Sequence, residues 1–292
     1  MKKWIKNNTM ELTGSTIAIT GATGGLGVEI CKHLASLGAN LILINRSLTK
    51  SEQLKTELLS DFPQMKIDII VADLSDFKSV KNATEQLKQI NIDVLILNAG
   101  VYCVPRYTTD IGYNNVFTTN FVSHYYMVKQ LIPTLKKSNI GRVVAVGSIA
   151  HNYTKLNEND IDFTANTKHS KVYGNSKRFL MFSLYELFKR ENKVKLSVVH
   201  PGVTFTNITN HYPKLIYALI KYPMKILFPS PKNASLHIIA GIFKDTNYHQ
   251  WIGPKIFTVW GKPKLSKLKT CSKQESEKIF KISEKIYSKL VK

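Results

Sequence analysis

Ser15-Thr16-Ile17-Ala18-Ile19-Thr20-Gly21-Ala22-Thr23-Gly24-Gly25-Leu26-Gly27 runs a short β-branched apolar stretch straight into a glycine-rich turn, and a helical pattern follows from 26 to 37. In a strand–turn–helix of this kind the missing side chains let an anion approach the backbone. The first amides of the helix then face it. Working outward, further strands read at 41–45, 67–72, 94–98, 142–147 and 196–200, with strand one at 15–20. Helical patterns lie between them at 48–59, 77–90, 114–136 and 172–190.

The strands are nearly continuous apolar runs, as expected where helices cover both faces of a parallel sheet. The expected architecture is therefore α/β: one Rossmann-type, doubly wound parallel sheet with its ligand at the carboxyl ends of the strands. After Pro201-Gly202 the pattern changes. An apolar, aromatic segment at 212–228 precedes a helix from Pro231 through Phe243, a short strand at 256–260 and an amphipathic helix near 273–290. The reading is one domain over 1–292, with an N-terminal extension at 1–13, a substrate-side region at 203–254 and a C-terminal helix at 272–291.

The hydrophobic share of 43% supplies a core without disulfides. Cys31, Cys103 and Cys271 are odd in number and widely spaced, which fits a reducing compartment. The eight histidines show no metal-ligand spacing, so no metal site is expected. Met1 to Asn8 is basic without an apolar core, so no signal peptide is expected. The apolar runs are strand-sized, and the chain reads as soluble and cytoplasmic. Net charge is +21, with sixteen lysines against four acidic residues from His211 onward. Blocks of five like charges are missing, and no basic–aromatic stripe suits nucleic acid, so no nucleic-acid partner is expected.

The strand ends carry the next signals. Gly21, Thr23, Gly25, Leu26 and Gly27 form the anion-binding turn. The second strand closes on Asn45-Arg46, where a carboxylate would accept ribose hydroxyls and repel a 2′-phosphate. A neutral residue followed by the planar fork of Arg46 favours NADP(H) over NAD(H). Asp73-Leu74 ends the third strand, where a carboxylate can meet an adenine amino group. Asn98-Ala99-Gly100 ends the fourth, with small residues that let backbone lie against a cofactor.

Tyr173 and Lys177 are four residues apart and share a helix face. A free phenol has a pKa of about 10, and an ammonium beside it favours the phenolate. With Asn120 and Ser148 upstream, the ordered set describes a site that moves a hydride against a proton.

These elements together resemble the short-chain dehydrogenase/reductase family, in family order over roughly 14–210. They are Thr20-Gly21-x-x-x-Gly25-x-Gly27, Asp73-Leu74, Asn98-Ala99-Gly100, Asn120, Ser148, Tyr173-x-x-x-Lys177 and Pro201-Gly202. Val146-Gly147-Ser148-Ile149-Ala150-His151, His200-Pro201-Gly202-Val203 and Trp251-Ile252-Gly253-Pro254 are similar to the retinol dehydrogenase-like branch. The resemblance implies that Tyr173 is the acid/base, that Ser148 orients the substrate oxygen, and that Lys177 binds the nicotinamide ribose and lowers the Tyr173 pKa. It implies that Asn120 holds a relay water and that Pro201, Gly202 and Thr206 flank the nicotinamide. No metal is required. The loop 151–171 is longer than in core family members and is expected to border the substrate. Cys103 could also lie near the substrate, although a small Cys more often packs.

The implied activity is alcohol/carbonyl oxidoreduction on a small, apolar substrate that is retinoid-, steroid- or aldehyde/ketone-like. A catalytically silent dinucleotide-binding or redox-sensing protein on the same fold is the alternative. Sugar-nucleotide epimerases share Tyr-x-x-x-Lys but have a different glycine spacing and a longer C-terminal domain. Leu215, Ile216, Leu219 and Ile220 recur at helical spacing among lysines, which reads as a substrate lid with a secondary, weak contact to an anionic membrane surface. The same residues would also serve as packing or as a contact in a homo-oligomer.

Overall fold

The computed structural model describes residues 2–166, 168–202, 229–268 and 272–292. Eight strands form one sheet in the order β3-β2-β1-β4-β5-β6-β7-β8. The first six are β1 (Thr16–Thr20), β2 (Asn40–Asn45), β3 (Ile67–Val71), β4 (Val94–Leu97), β5 (Arg142–Val146) and β6 (Lys195–Val199). They pair in parallel, and β7 (Gln250–Ile256) extends the parallel run. Strand order reverses at β1, which lies between β2 and β4. Loops leaving β1 and β4 therefore diverge to opposite faces and open a crevice at the carboxyl ends.

Alternate residues of β1 explain the two-sided core. Ile17 and Ile19 join one apolar cluster with Ile30 and Leu34 of α2 (Gly25–Ser36) and Ile239 of α8 (Pro231–Phe243). Ala18 faces the other cluster, where Phe117, Phe121, Phe179 and Phe182 pack. Trp4 of the N-terminal helix α1 (Lys2–Asn8) is buried in the first cluster. Side chains cap α3 (Leu48–Asp61) through Ser47 and α4 (Phe77–Lys88) through Asp76.

Two expectations need correction. The strand expected at 256–260 is not one strand: Ile256 ends β7, 257–259 turn, and Trp260 opens an antiparallel edge strand, β8 (Trp260–Lys267). Phe257 and Thr258 hold φ of 47° and 57°, outside the extended region. The buried strand is instead Trp251-Ile252-Gly253-Pro254, where Pro254 sits beside a register shift that accommodates its missing donor. The helix expected at 114–136 is interrupted. It comprises α5 (Asn115–Phe117), a π turn at Thr118–Val122 and α6 (Ser123–Leu135).

The C-terminal helix α9 (Lys273–Leu290) starts on Ser272, whose side chain accepts from Glu275 N. It packs on α6 and on α7 (His169–Phe188), where Glu284 accepts from Tyr125 Oη and, at 2.9 Å, from Lys129 Nζ. Arg178 of α7 is almost wholly buried. It donates to Glu275 through Nε (2.9 Å) and Nη2 (2.6 Å), and through Nη1 to His151 O at 3.0 Å. Glu275 also accepts from Leu156 N at 2.8 Å. The clasp thus ties the chain's last helix to the segment after Ser148. Removing one partner of a buried ion pair leaves an uncompensated charge, at about 3–5 kcal/mol. Glu275→Ala should cost about that much in urea unfolding, and Arg178→Met with Glu275→Leu should recover most of it.

Candidate active site

The carboxyl ends of the strands surround a cavity of about 900 Å³. Gly21, Thr23, Gly25, Leu26, Gly27, Asn45, Arg46, Asp73, Leu74, Asn98, Ala99, Gly100, Ser148, Tyr173, Lys177, Pro201 and Gly202 all line it. Asn120 does not. Thr206 and the segment 212–228, read as a nicotinamide neighbour and a lid, lie outside the described residues.

The glycine turn is shaped by close backbone approaches. Gly21 has φ +69°, and a Cβ there would fall 2.8 Å from Ala99 Cα. A Cβ on Gly27 would overlap the carbonyl oxygens of Gly21 and Ala22, so α2 can lie tight against the turn only without it. Gly25 differs: a Cβ there would meet nothing within 4 Å. The helices α3, α4, α8 and α9 each have a side-chain cap, whereas α2, which opens into the cavity, has none. Uncapped amides beside open space fit the pyrophosphate of a dinucleotide.

Neighbouring strand ends hold the turn in place. Asn98 Nδ2 donates to Thr20 O (3.1 Å) and Gly21 O (3.0 Å), while Asn98 N and Ala99 N both donate to Thr20 Oγ1 at 3.0 Å. Asn45 Oδ1 accepts from Thr23 N at 3.3 Å and its Nδ2 donates to Ser51 Oγ at 3.0 Å, so its buried carboxamide braces the loop. Arg46 is 79% exposed at the cavity lip, 3.8 Å from Asp73. Asp73 in turn accepts from Ser75 N and Oγ.

At the other end, α7 presses on the 3₁₀ turn Ile149–Tyr153 because residue 174 is glycine; a Cβ there would overlap Ala150 O. This contact brings Tyr173 beside Ser148, whose hydroxyl acts on the phenol and, at 3.2 Å, accepts from Ala150 N. Burial pushes the Tyr173 phenol up to about 12, against the opposing pull of the Ser148 hydroxyl. The expected lowering by Lys177 is therefore not what governs this phenol. The Lys177 ammonium lies 5.9 Å from the Tyr173 ring centroid and donates instead to Val146 O at 2.8 Å. Burial brings Lys177 down to about 8.

Asn120 sits one layer behind the cavity wall. Its Oδ1 accepts from Val101 N (2.8 Å), and its Nδ2 donates to Val101 O and Ser176 Oγ, each at 3.0 Å. It thereby fixes the segment after Gly100. The sequence reading passed over His124, whose Nε2 lies 3.0 Å from Thr20 Oγ1 and whose Nδ1 lies 3.2 Å from Asn120 O. Burial takes its imidazole down to about 3, so the ring is a neutral bridge between the π turn and the glycine strand. Tyr102, Val104, Pro105, Tyr107 and Ile149 were also missed and line the cavity, whereas Cys103 does not. Tyr102 meets Tyr173 edge to face, centroids 5.3 Å apart. Of the long loop, Tyr153 and Ser170 reach the cavity, while Phe163 packs with Val116 and Val172.

The chain matches the profile of the short chain dehydrogenase family over residues 15–214. It belongs to that family. Relatives include the human polyprenol dehydrogenase, 31% identical over 203 residues (66% of this chain, 62% of the relative). Mouse retinol dehydrogenase 12 is 32% identical over 206 residues (69% of this chain, 65% of the relative). The matched region thus spans a little under two thirds of these relatives' length. Among solved structures, an uncharacterised protein of Mycobacterium paratuberculosis superposes with a TM-score of 0.75 at 22% identity, covering 97% of this chain and 96% of that one. A Sphingobium yanoikuyae short-chain dehydrogenase in complex with NADPH gives 0.56 at 22%, covering 72% and 84%. These two likenesses establish the fold.

The segments read from the sequence as retinol dehydrogenase-like converge in space. His200 stacks on Trp251 with centroids 4.9 Å apart and rings 9° from parallel, and His151 meets the same indole edge-on at 5.6 Å. Burial lowers His151 to about 4 and His200 to about 3, so both pack as neutral rings beneath Ser148 and Pro201.

This dehydrogenase-family turn yields a contrast. Gly25→Ala should leave the thermal unfolding midpoint unchanged and weaken dinucleotide binding by at least about tenfold, since about 1.4 kcal/mol of obstruction suffices. Gly27→Ala should lower both the midpoint and the affinity. Cofactor fluorescence titration and thermal scans read the two effects separately.

Proposed function

We propose that the chain is an NAD(P)-dependent oxidoreductase, NADP(H)-preferring, that interconverts an alcohol and a carbonyl on an apolar substrate. The observation that carries this reading is the convergence of Ser148, Tyr173 and, one turn along α7, Lys177 on the same cavity as the uncapped glycine turn. A bound dinucleotide would supply the hydride. Tyr173 would exchange a proton with the substrate oxygen, and Ser148 would hold that oxygen in place. Lys177 would hold the ribose hydroxyls and bring its charge toward the phenol. Asn120 acts behind them by fixing the Val101 backbone. The phenol near 12 means that Tyr173 enters the cycle protonated, ready to donate in the carbonyl-reducing direction.

Cofactor preference rests on the lip of β2. Asn45 puts no negative charge there, and Arg46 is held only by a loose, exposed pair that a 2′-phosphate can displace. The substrate end is walled by Val101, Tyr102, Val104, Pro105, Ile149 and Tyr153, which suits a retinoid-, steroid- or long aldehyde/ketone-like molecule. The names of the retinol and polyprenol dehydrogenases point the same way. The whole of 1–292 is read as one such catalytic unit.

Tyr173→Phe should keep NADPH binding and lose nearly all turnover, measured as NADPH oxidation with a panel of apolar carbonyls. Lys177→Ala should damage both binding and turnover. Normal turnover in the Tyr173→Phe protein would overturn the acid/base role of Tyr173, whereas NADPH binding without turnover of any carbonyl by the wild type would favour a silent dinucleotide binder. For the cofactor, Arg46→Ala should weaken NADPH far more than NADH. Loss of one charge-assisted phosphate contact corresponds to roughly tenfold to more than a hundredfold. Equal losses would return Arg46 to an ordinary surface residue.

A further inference from the structure

Among the described residues, ten large hydrophobic side chains stand exposed, and four of them crowd onto the β7–β8 hairpin: Ile256, Phe257, Trp260 and Leu265. Phe257, in the turn, is 85% exposed. It takes a left-handed φ of 47°, a conformation that a bulky side chain adopts at a cost. Lone exposed apolar residues are ordinary, but a cluster marks an interaction surface. Lys255, Lys262, Lys264 and Lys267 are exposed on the same hairpin. No Asp or Glu occurs between Asp245 and Glu275.

The combination selects among partners. Lysines on an edge strand oppose pairing with another strand, which argues against a second copy adding to β8. Exposed aliphatic Ile256 and Leu265 have no use against a phosphate backbone alone. An anionic bilayer suits every part. Aromatic rings settle at headgroup level, and each lysine near the surface raises binding about fivefold. The hairpin also borders the cavity. A Cβ on Gly202, which lines the cavity, would fall 2.9 Å from Val259 O and 3.0 Å from Pro254 Cγ.

We propose that the β7–β8 hairpin docks the protein on anionic bilayers, seating Phe257 and Trp260 among the headgroups with Lys255, Lys262, Lys264 and Lys267 against the lipid phosphates. The cavity then faces substrate dissolved in the membrane. The docking does not depend on the proposed catalysis, and its test uses no turnover.

The full chain is sedimented with sucrose-loaded vesicles of phosphatidylcholine, alone or mixed with phosphatidylserine. It should pellet with the mixture and not with the neutral vesicles, and binding should fade as salt rises. Lys262→Glu with Lys264→Glu should lower vesicle affinity at least about tenfold. Phe257→Ser with Trp260→Ser should lower it while leaving the salt dependence in place. The lysine variant alters exposed positions outside the cavity and should keep the wild-type thermal midpoint, and Phe257→Ser alone, at the most exposed of these positions, should do the same while still lowering vesicle affinity. Undiminished pelleting of any of these variants overturns the proposal, as does equal binding to neutral vesicles. Displacement from the anionic vesicles by duplex RNA at lower concentration than by soluble phosphate esters would also overturn it, in favour of a nucleic-acid surface.

Discussion

One missing methyl group governs the reacting end of this molecule. Because residue 174 is glycine, α7 can lie directly on the carbonyl of Ala150, and the rest of the arrangement follows from helical geometry. The residue before it, Tyr173, meets Ser148. One turn on, Lys177 reaches the end of β5 at Val146 O, and the next residue, Arg178, reaches His151 O. The helix therefore grips both flanks of the segment that carries Ser148. Asn120 is joined to the same helix through Ser176, whose hydroxyl bonds back to Tyr173 O.

Lys177 and Arg178 are adjacent buried cations with opposite fates. Arg178 is matched by the two oxygens of Glu275, which its planar fork meets through Nε and Nη2. Lys177 donates to the carbonyl of Val146, and desolvation draws it to about 8. An ammonium so placed is sensitive to what enters the cavity, because any hydroxyl or negative charge arriving there restores solvation that the protein withholds. Structural and responsive charge thus stand side by side on one helix turn. The three neutral imidazoles of His124, His151 and His200 contribute shape and hydrogen bonds around them without charge.

The sheet and the dinucleotide end were legible because they rest on local patterns. Apolar runs mark β1 to β6, and glycines mark places where backbone must approach backbone. Even so, the roles of single residues diverged from their motif. Asn45, at the cavity edge, spends its carboxamide on bracing Thr23 and Ser51, and Asn120 stands behind the wall. These depend on side-chain direction, which spacing does not encode. The hairpin was misread because Gly253 and Pro254 weaken the strand signal where the strand is buried, while Ile256 to Trp260 look β-like where the chain turns. The aromatic wall from Tyr102 to Tyr107 has no periodicity. Its recognition required knowing that a left-handed Cys103 sits between two residues that face inward.

The Arg178–Glu275 clasp joins residues 97 positions apart, and that separation has a consequence in time. A chain emerging from the ribosome completes β1 to β6 and α7 well before Glu275 exists to receive the guanidinium. Until then the guanidinium lacks its carboxylate, and a buried charge without its counter-ion disfavours the seated position of the helix that bears Tyr173. The dinucleotide half, with its local contacts, has no such dependence and can close first. The ion pair thus favours a sequence in which the reacting half of the cavity settles after α9 has been made.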